Sequence, residues 1–412
     1  MKALLSVFVL LGIVIFPEAK CQSTQIGPKD FAVMAWGDSP SSAEQLRGMK
    51  EAGLNISGFC QAKDLDAVRA AGLTCFVRDG WIDTHTPPNV PSDSEIRQHV
   101  AQMKTEIGDN PAALGFFLRD EPTADQMPGL GKLAAALREA MPEKWPYVNL
   151  FPYSVPAARF GTGGYDSYVQ MLVKSIGQPF LSYDNYSLFN GQMLDSFYTN
   201  LEIVRRLSLE TRTRFWNIVL ANALFNYMEP SDATFNLQAY STMAYGGRGI
   251  QYFTYFSPKI GNFRLAAVDQ FGNRTATWDM LRRINNQIYE LAPTLVRLHS
   301  TGVYHYPDVP DQGQPLSASK LVQSVEMTRQ HGVGLGPPVI GRFLIGEFED
   351  NQQRPYFMIV NKDLNNSFRI RIHLKQDGRK LIQISQYSGQ EEPFGGEMDW
   401  LAPGAGALFR IE

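Results

Sequence analysis

A chain of 412 residues, 44% hydrophobic and only 19% charged, can bury a large core, which excludes an intrinsically disordered protein. A formal net charge of -3 with no long basic run excludes a nucleic-acid partner, whose phosphates need a Lys/Arg-rich face. Aromatic residues at 12% suit a neutral ligand better, since rings cover the apolar faces of sugars.

Met1 and Lys2 precede an apolar run over residues 3–16, followed by Pro17, Glu18, Ala19, Lys20 and Cys21. A positive start and a run too short for a comfortable transmembrane helix predict a secretory signal over residues 1–21. The protein is therefore expected to be secreted or periplasmic. A lipid anchor through Cys21 to the outer membrane is the alternative fate, although Lys20 replaces the small residue that such signals place there. No later segment is long and apolar enough to span a bilayer.

From residue 31 onward short apolar runs alternate with helical patterns. Predicted strands cover 31–36, 55–59, 74–77, 114–118, 147–151, 180–183, 215–220 and 249–255. Helix starts are marked by Ser41-Ser42-Ala43-Glu44, Ser92-Asp93-Ser94-Glu95 and Ser231-Asp232. The last helix runs over 277–297, with Leu281, Ile284, Ile288 and Leu291 at helical spacing. Eight strand-and-helix units within residues 28–300 predict an α/β fold, a (β/α)8 TIM barrel. A doubly wound nucleotide-binding sheet is the competitor, but no Gly-x-Gly-x-x-Gly follows the first strand.

Cys60 and Cys75 sit in apolar contexts that read as small buried thiols, with a disulfide as the alternative. No Cys-x-x-Cys occurs and the six histidines never fall at metal-ligand spacings, so neither a metal nor a cofactor is predicted. Beyond residue 300 strands are predicted at 339–348, 356–360, 368–374, 382–387 and 407–411. Turn signals lie at Asn361-Lys362-Asp363, Gln376-Asp377-Gly378, Gly395-Gly396 and Pro403-Gly404. Residues 301–412 thus read as a small C-terminal antiparallel β-sandwich, with packing rather than independent carbohydrate binding as its role. No feature of the sequence fixes the oligomeric state.

In such a barrel catalytic groups sit at the C-terminal ends of the strands. Just past them come Asp38, Cys60, Asp79 with Trp81, Asp120 with Glu121, Tyr153, Asp184 with Tyr186, Asn222 and Ser257. The sharpest signal is Gly115-Phe116-Phe117-Leu118-Arg119-Asp120-Glu121-Pro122, an apolar strand ending in two adjacent acids and stopped by a proline. Adjacent like charges and apolar walls raise at least one carboxyl pKa, which is what a proton donor near neutral pH requires. The competing reading is a helix cap or an ion pair with Arg119. Asp184, in Tyr183-Asp184-Asn185-Tyr186, is the second candidate, as a base that activates water or as a nucleophile. Glu229, seven residues past Asn222, reads as a surface residue. Trp36, Asp38, Asp79, Trp81, Asn149, Tyr153, Tyr183, Tyr186, Trp216, Asn217 and Tyr255 are candidate sugar-binding residues, supplying rings for stacking and polar groups for hydroxyls.

The run Phe117-Leu118-Arg119-Asp120-Glu121-Pro122, ending a fourth strand ahead of a C-terminal sandwich, resembles the clan A (β/α)8 glycoside hydrolases, nearest in pattern to the family 42 β-galactosidases. The resemblance covers residues 28–300 in architecture and this one motif in sequence. It implies a glycoside hydrolase acting on an oligo- or polysaccharide, with Glu121 at the clan's acid/base position. Two departures stand out. Asp120 replaces the clan's Asn that binds the sugar 2-hydroxyl, and the seventh strand, Phe215 through Asn222, lacks the clan's nucleophilic Glu. Adjacent Asp-Glu is also similar to the family 20 hexosaminidases, where the Asp orients a substrate 2-acetamido group that acts as internal nucleophile and the Glu is the general acid. That mechanism needs no acid on the seventh strand. Outside the enzymes, the alternative is a non-catalytic glycan-binding protein on a barrel scaffold. A barrel esterase lacks its Gly-x-Ser-x-Gly elbow here.

Overall fold

The computed structural model describes residues 26–84, 91–329, 339–395 and 399–412, so the predicted signal and Cys21 lie outside it. Eight strands pair in parallel: β1 (Ala32–Ala35), β2 (Ile56–Cys60), β3 (Thr74–Arg78), β4 (Ala113–Asp120), β5 (Trp145–Asn149), β6 (Phe180–Asp184), β7 (Arg214–Leu220) and β8 (Gly249–Phe253). Their order is β5-β4-β3-β2-β1-β8-β7-β6. The sheet closes where the Leu150 N–H donates to the Ser182 carbonyl at 2.8 Å, beside a parallel bridge from Leu150 to Tyr183. The fold is therefore a (β/α)8 barrel, its strands near-continuous apolar runs because both of their faces are buried.

The pleat divides each strand between two cores. Ala32, Met34, Ile56, Phe76, Phe117, Tyr147, Phe180 and Trp216 fill the barrel interior, whereas Val33, Cys75, Val77, Leu181 and Ile250 face the helices. The interior is strongly aromatic, with Phe180 stacked on Trp216 at 3.7 Å. Gly249 is required beside them, since a Cβ there would come within 2.5 Å of the Trp216 ring. Around the strands, Ser92 and Ser231 cap helices Asp93–Ile107 and Asp232–Ala244 by accepting from the Glu95 and Thr234 N–H groups. Among the described residues no helix is long and apolar enough to cross a membrane.

Cys60 and Cys75 form a disulfide, which corrects the reading of free thiols. They lie on neighbouring strands with Cα atoms 6.0 Å apart, and both side chains face the helix layer. Apolar surroundings therefore do not separate a thiol from a bridge when the bridge itself is buried. The bridge spans a sequence separation of 15, for which loop entropy predicts about 3 kcal/mol of stability. Cys60→Ser combined with Cys75→Ser should lower the urea-unfolding free energy by about that amount. Equal unfolding curves with and without reductant would show that no bridge forms.

Helix Ala276–Leu295 leads into two antiparallel sheets. The larger is built mainly on Leu298–Tyr306, Phe343–Asp350, Pro355–Asn361, Gly406–Ile411 and Leu381–Ile384, with the two-residue strand Gln314–Pro315 running parallel at its edge. The smaller contains Val322–Thr328, Phe368–Leu374 and Trp400–Leu401. Val322, Phe343, Ile345, Phe357, Ile370 and Phe409 pack between the sheets. Alternate residues Leu344, Met358, Val360 and Leu408 join the barrel's outer core instead, so the larger sheet is buried on both faces and the sandwich is fixed against the barrel.

Candidate active site

The fourth strand delivers the acids. Its pairing with β5 slips between Phe117 and Arg119, and the chain then turns at Glu121, whose φ is 45°. A non-glycine residue in the left-handed region is strained by about 1 kcal/mol or more and persists only where neighbours enforce it. Here the Glu121 N–H donates to the Asn149 carbonyl at 2.9 Å, and the Tyr168 hydroxyl donates to the Pro122 carbonyl at 2.7 Å. The turn is thus held from β5 and from helix Tyr165–Ile176.

A chain of polar side chains inside the barrel fixes the carboxylates. The Trp36 indole N–H donates to the Tyr147 hydroxyl at 3.1 Å, and that hydroxyl donates to Gln251 Oε1 at 2.6 Å. Gln251 Nε2 donates to Ser182 Oγ, which donates to Asn149 Oδ1, both at 2.9 Å. With its oxygen engaged, Asn149 must turn its NH2 group toward the mouth. There Nδ2 donates to Asp120 at 3.1 Å and to Asp184 at 3.0 Å. The two acceptor oxygens are no farther apart than these two hydrogen bonds laid end to end.

Three acids this close perturb one another. Burial, then the charge of Asp120, push the Glu121 carboxyl up to about 7, with Arg159 opposing. Asp184 is raised well above the usual carboxylate range by burial first and by Glu121 and Asp120 next. Asp120 is also raised by desolvation, but the Asn149 bond, Arg119 and Arg78 pull it down. Asp120 is exposed by surface area, yet a concave mouth admits little of the bulk water that hydrates a charge. Beside Glu121 opens a cavity of about 610 Å³, walled by Phe151, Val155, Pro156, Ala158 and Arg159. A larger groove of about 820 Å³ lies on the sandwich, lined by residues such as Arg371, His373 and Arg379, and none of the three acids reaches it.

The candidates divide by side-chain direction. Trp36, Asp120, Glu121, Asn149 and Asp184 are joined by the network or its charges, and Tyr186 joins them, its hydroxyl raised first by burial and then by Asp184. Asp38 sits on the rim, held by Arg78 at 3.2 Å. Asp79 accepts from the Trp81 N–H and pairs with His99, on which Trp81 stacks, so both are tied to the start of helix Gly80–Thr84. Tyr153 is half-buried against the outer core. Trp216 fills the interior, in register with Ser182 and with its ring 6.3 Å from that of Tyr147, and makes no bond to the acids. Tyr183 faces the helices, Asn217 donates to Thr242 on helix Asp232–Ala244, and the Tyr255 hydroxyl accepts from Trp278. At the end of β7, Asn222 is buried and donates to Thr254 at 3.0 Å, while Glu229 is exposed and paired with Arg264. Sequence reasoning passed over Tyr147, Ser182 and Gln251. Their signal was available: each is a polar group within an apolar strand, two residues before a mouth position in the first two cases.

An eight-stranded barrel with a trailing sandwich and an acid cluster at the strand C-termini defines the class. No protein-family model and no curated protein matches the sequence. Solved structures do share the architecture. One described as a glycoside hydrolase has a TM-score of 0.54 at 11% identity, over 92% of this chain and 92% of its own. A glycoside hydrolase family 5 protein from Bacteroides vulgatus scores 0.53 at 11% identity, over 92% and 89%. A β-galactosidase from Marinomonas ef1 scores 0.50 at 12% identity, over 66% of this chain, which spans 62% of that enzyme. At these identities the likeness is one of fold.

Proposed function

We propose that this chain is an exported glycoside hydrolase acting on an oligo- or polysaccharide, with Glu121 as its general acid/base. The observation that carries the proposal is a carboxyl held up to about 7 beside two further carboxyls that share one amide donor. Glu121, protonated near neutral pH, gives its proton to the glycosidic oxygen as the bond to the anomeric carbon breaks. Asp184, raised the further of the two, keeps its proton, and the negative charge on Asp120, favoured there by Arg78 and Arg119, faces the positive charge that develops on the sugar ring and takes a proton from the water that adds to the anomeric carbon. A disulfide fits an oxidising compartment and supports export.

A second reading has its own support. Strand β7 ends at Leu220 and is followed by Asn222, and the nearest acid along the chain, Glu229, is paired on the surface, so no carboxylate stands at the clan's nucleophile position. A substrate with a 2-acetamido group would supply the nucleophile itself, oriented by Asp120. Release of reducing ends from neutral and N-acetylated glycans, measured between pH 5 and 8, tests both. The expected result is hydrolysis that falls as pH rises through about 7 and is lost in Glu121→Gln. Glycan binding without product at any pH would establish the non-catalytic alternative.

A further inference from the structure

The end of β8 and the loops after β6 and β7 form an aromatic wall along one side of the mouth. Tyr186 stacks on Phe253 at 5.3 Å, Tyr227 meets Tyr186 edge-on at 6.2 Å, and Phe225 lies 6.5 Å beyond Tyr227. The inner end of this row adjoins the acids, since both Tyr186 and Tyr227 sit within the field of Asp184. Its outer end stands in water, with Phe225 69% exposed.

A single exposed apolar ring is ordinary. Phe225 is not ordinary, because its backbone also lies at a φ of 46°, a region that disfavours a bulky residue. The conformation is clamped from the next loop: Asn262 Oδ1 accepts from the Phe225 N–H at 2.7 Å, and Asn262 Nδ2 donates to the Phe225 carbonyl at 3.1 Å. One side-chain amide therefore satisfies both backbone groups of a strained residue and holds its backbone in place. Strain maintained to hold an apolar ring in solvent is the mark of a binding position rather than of packing. Beside the outer end of the wall, Glu229 pairs with Arg264.

We infer that Phe225 is a stacking platform for a pyranose ring lying two ring steps out from the carboxylates, so that the site takes a sugar chain rather than one terminal residue. The inference rests on the glycan-acting reading above. A pyranose presents a C–H face that matches an aromatic ring, and steps of about 6 Å between rings are commensurate with successive units of a chain.

Isothermal titration of the full chain carrying Glu121→Gln, with β-1,4-linked gluco-, manno-, xylo- and galacto-oligosaccharides of two to six units, tests it. In one series affinity should climb with length. Adding Phe225→Ala should lower the affinity of its longer members roughly three- to tenfold, and Phe225→Trp should restore it. Equal affinity ladders with Phe225 and with the alanine variant overturn the inference, as does the absence of any bound series. A ladder that depends on Phe225, in a protein whose native form hydrolyses none of the series, removes the hydrolase reading and leaves the platform standing.

Discussion

Glu121→Gln is expected to lower kcat by about 10²- to 10⁴-fold and, at the same time, to stabilise the folded chain above pH 7. Both effects have one cause. In the unfolded chain this carboxyl titrates near 4.5, whereas burial and Asp120 raise it to about 7 in the fold. Between those values the folded protein keeps a proton that the unfolded chain has released, so stability falls as pH rises through this window and the loss is complete above about 7. Glu121 is partly exposed, and solvent screening reduces the penalty to about 1 kcal/mol. A glutamine carries no charge and avoids it. Urea unfolding should therefore find the variant more stable by about 1 kcal/mol at pH 8 and equal to the wild type near pH 4. The same carboxyl must be protonated to act as an acid, so wild-type kcat/KM should decline above pH 7. Turnover within tenfold of wild type in Glu121→Gln would remove Glu121 from the mechanism.

The barrel was legible in sequence because parallel strands are buried on both faces and leave apolar runs between helical patterns. The acid pair was legible for the same reason, since Asp120, Glu121 and Pro122 interrupt such a run. The direction of each side chain was not. A strand apolar on both faces carries no alternation to show which residues point inward, so Trp216 and Asn217 were equally good candidates, yet one fills the interior and the other faces a helix. The two sandwich strands Leu298–Tyr306 and Val322–Thr328 escaped notice because polar residues break their patterns, and Val322–Thr328 is in addition largely solvated. Phe225 was invisible for a different reason: its exposure and its φ depend on Asn262, a partner on another loop.

Asp120→Asn and Asp184→Asn should each lower kcat by at least about a hundredfold, and the double variant should be scarcely worse than the poorer single one. The two side chains accept from one Nδ2 group of Asn149, and both are raised by burial. Carboxylates so close do not both ionise near neutral pH, and they titrate as a pair. Arg78 and Arg119 draw the single charge to Asp120, while the deeper burial of Asp184 keeps the proton there. Asp184→Asn replaces a side chain that is already neutral, so the acidic limb of the kcat/KM profile, set by Asp120, should stay where it is. Asp120→Asn differs, because the charge must then form on the desolvated Asp184, and the acidic limb should rise. Profiles of both variants on one substrate decide between mechanisms. A limb that rises in Asp120→Asn alone supports a pair with its charge on Asp120 and its proton on Asp184. If Asp184→Asn leaves rate and profile unchanged while Asp120→Asn abolishes turnover only on N-acetylated substrates, the substrate's own acetamido group is the nucleophile, and Asp120 is the residue that aims it.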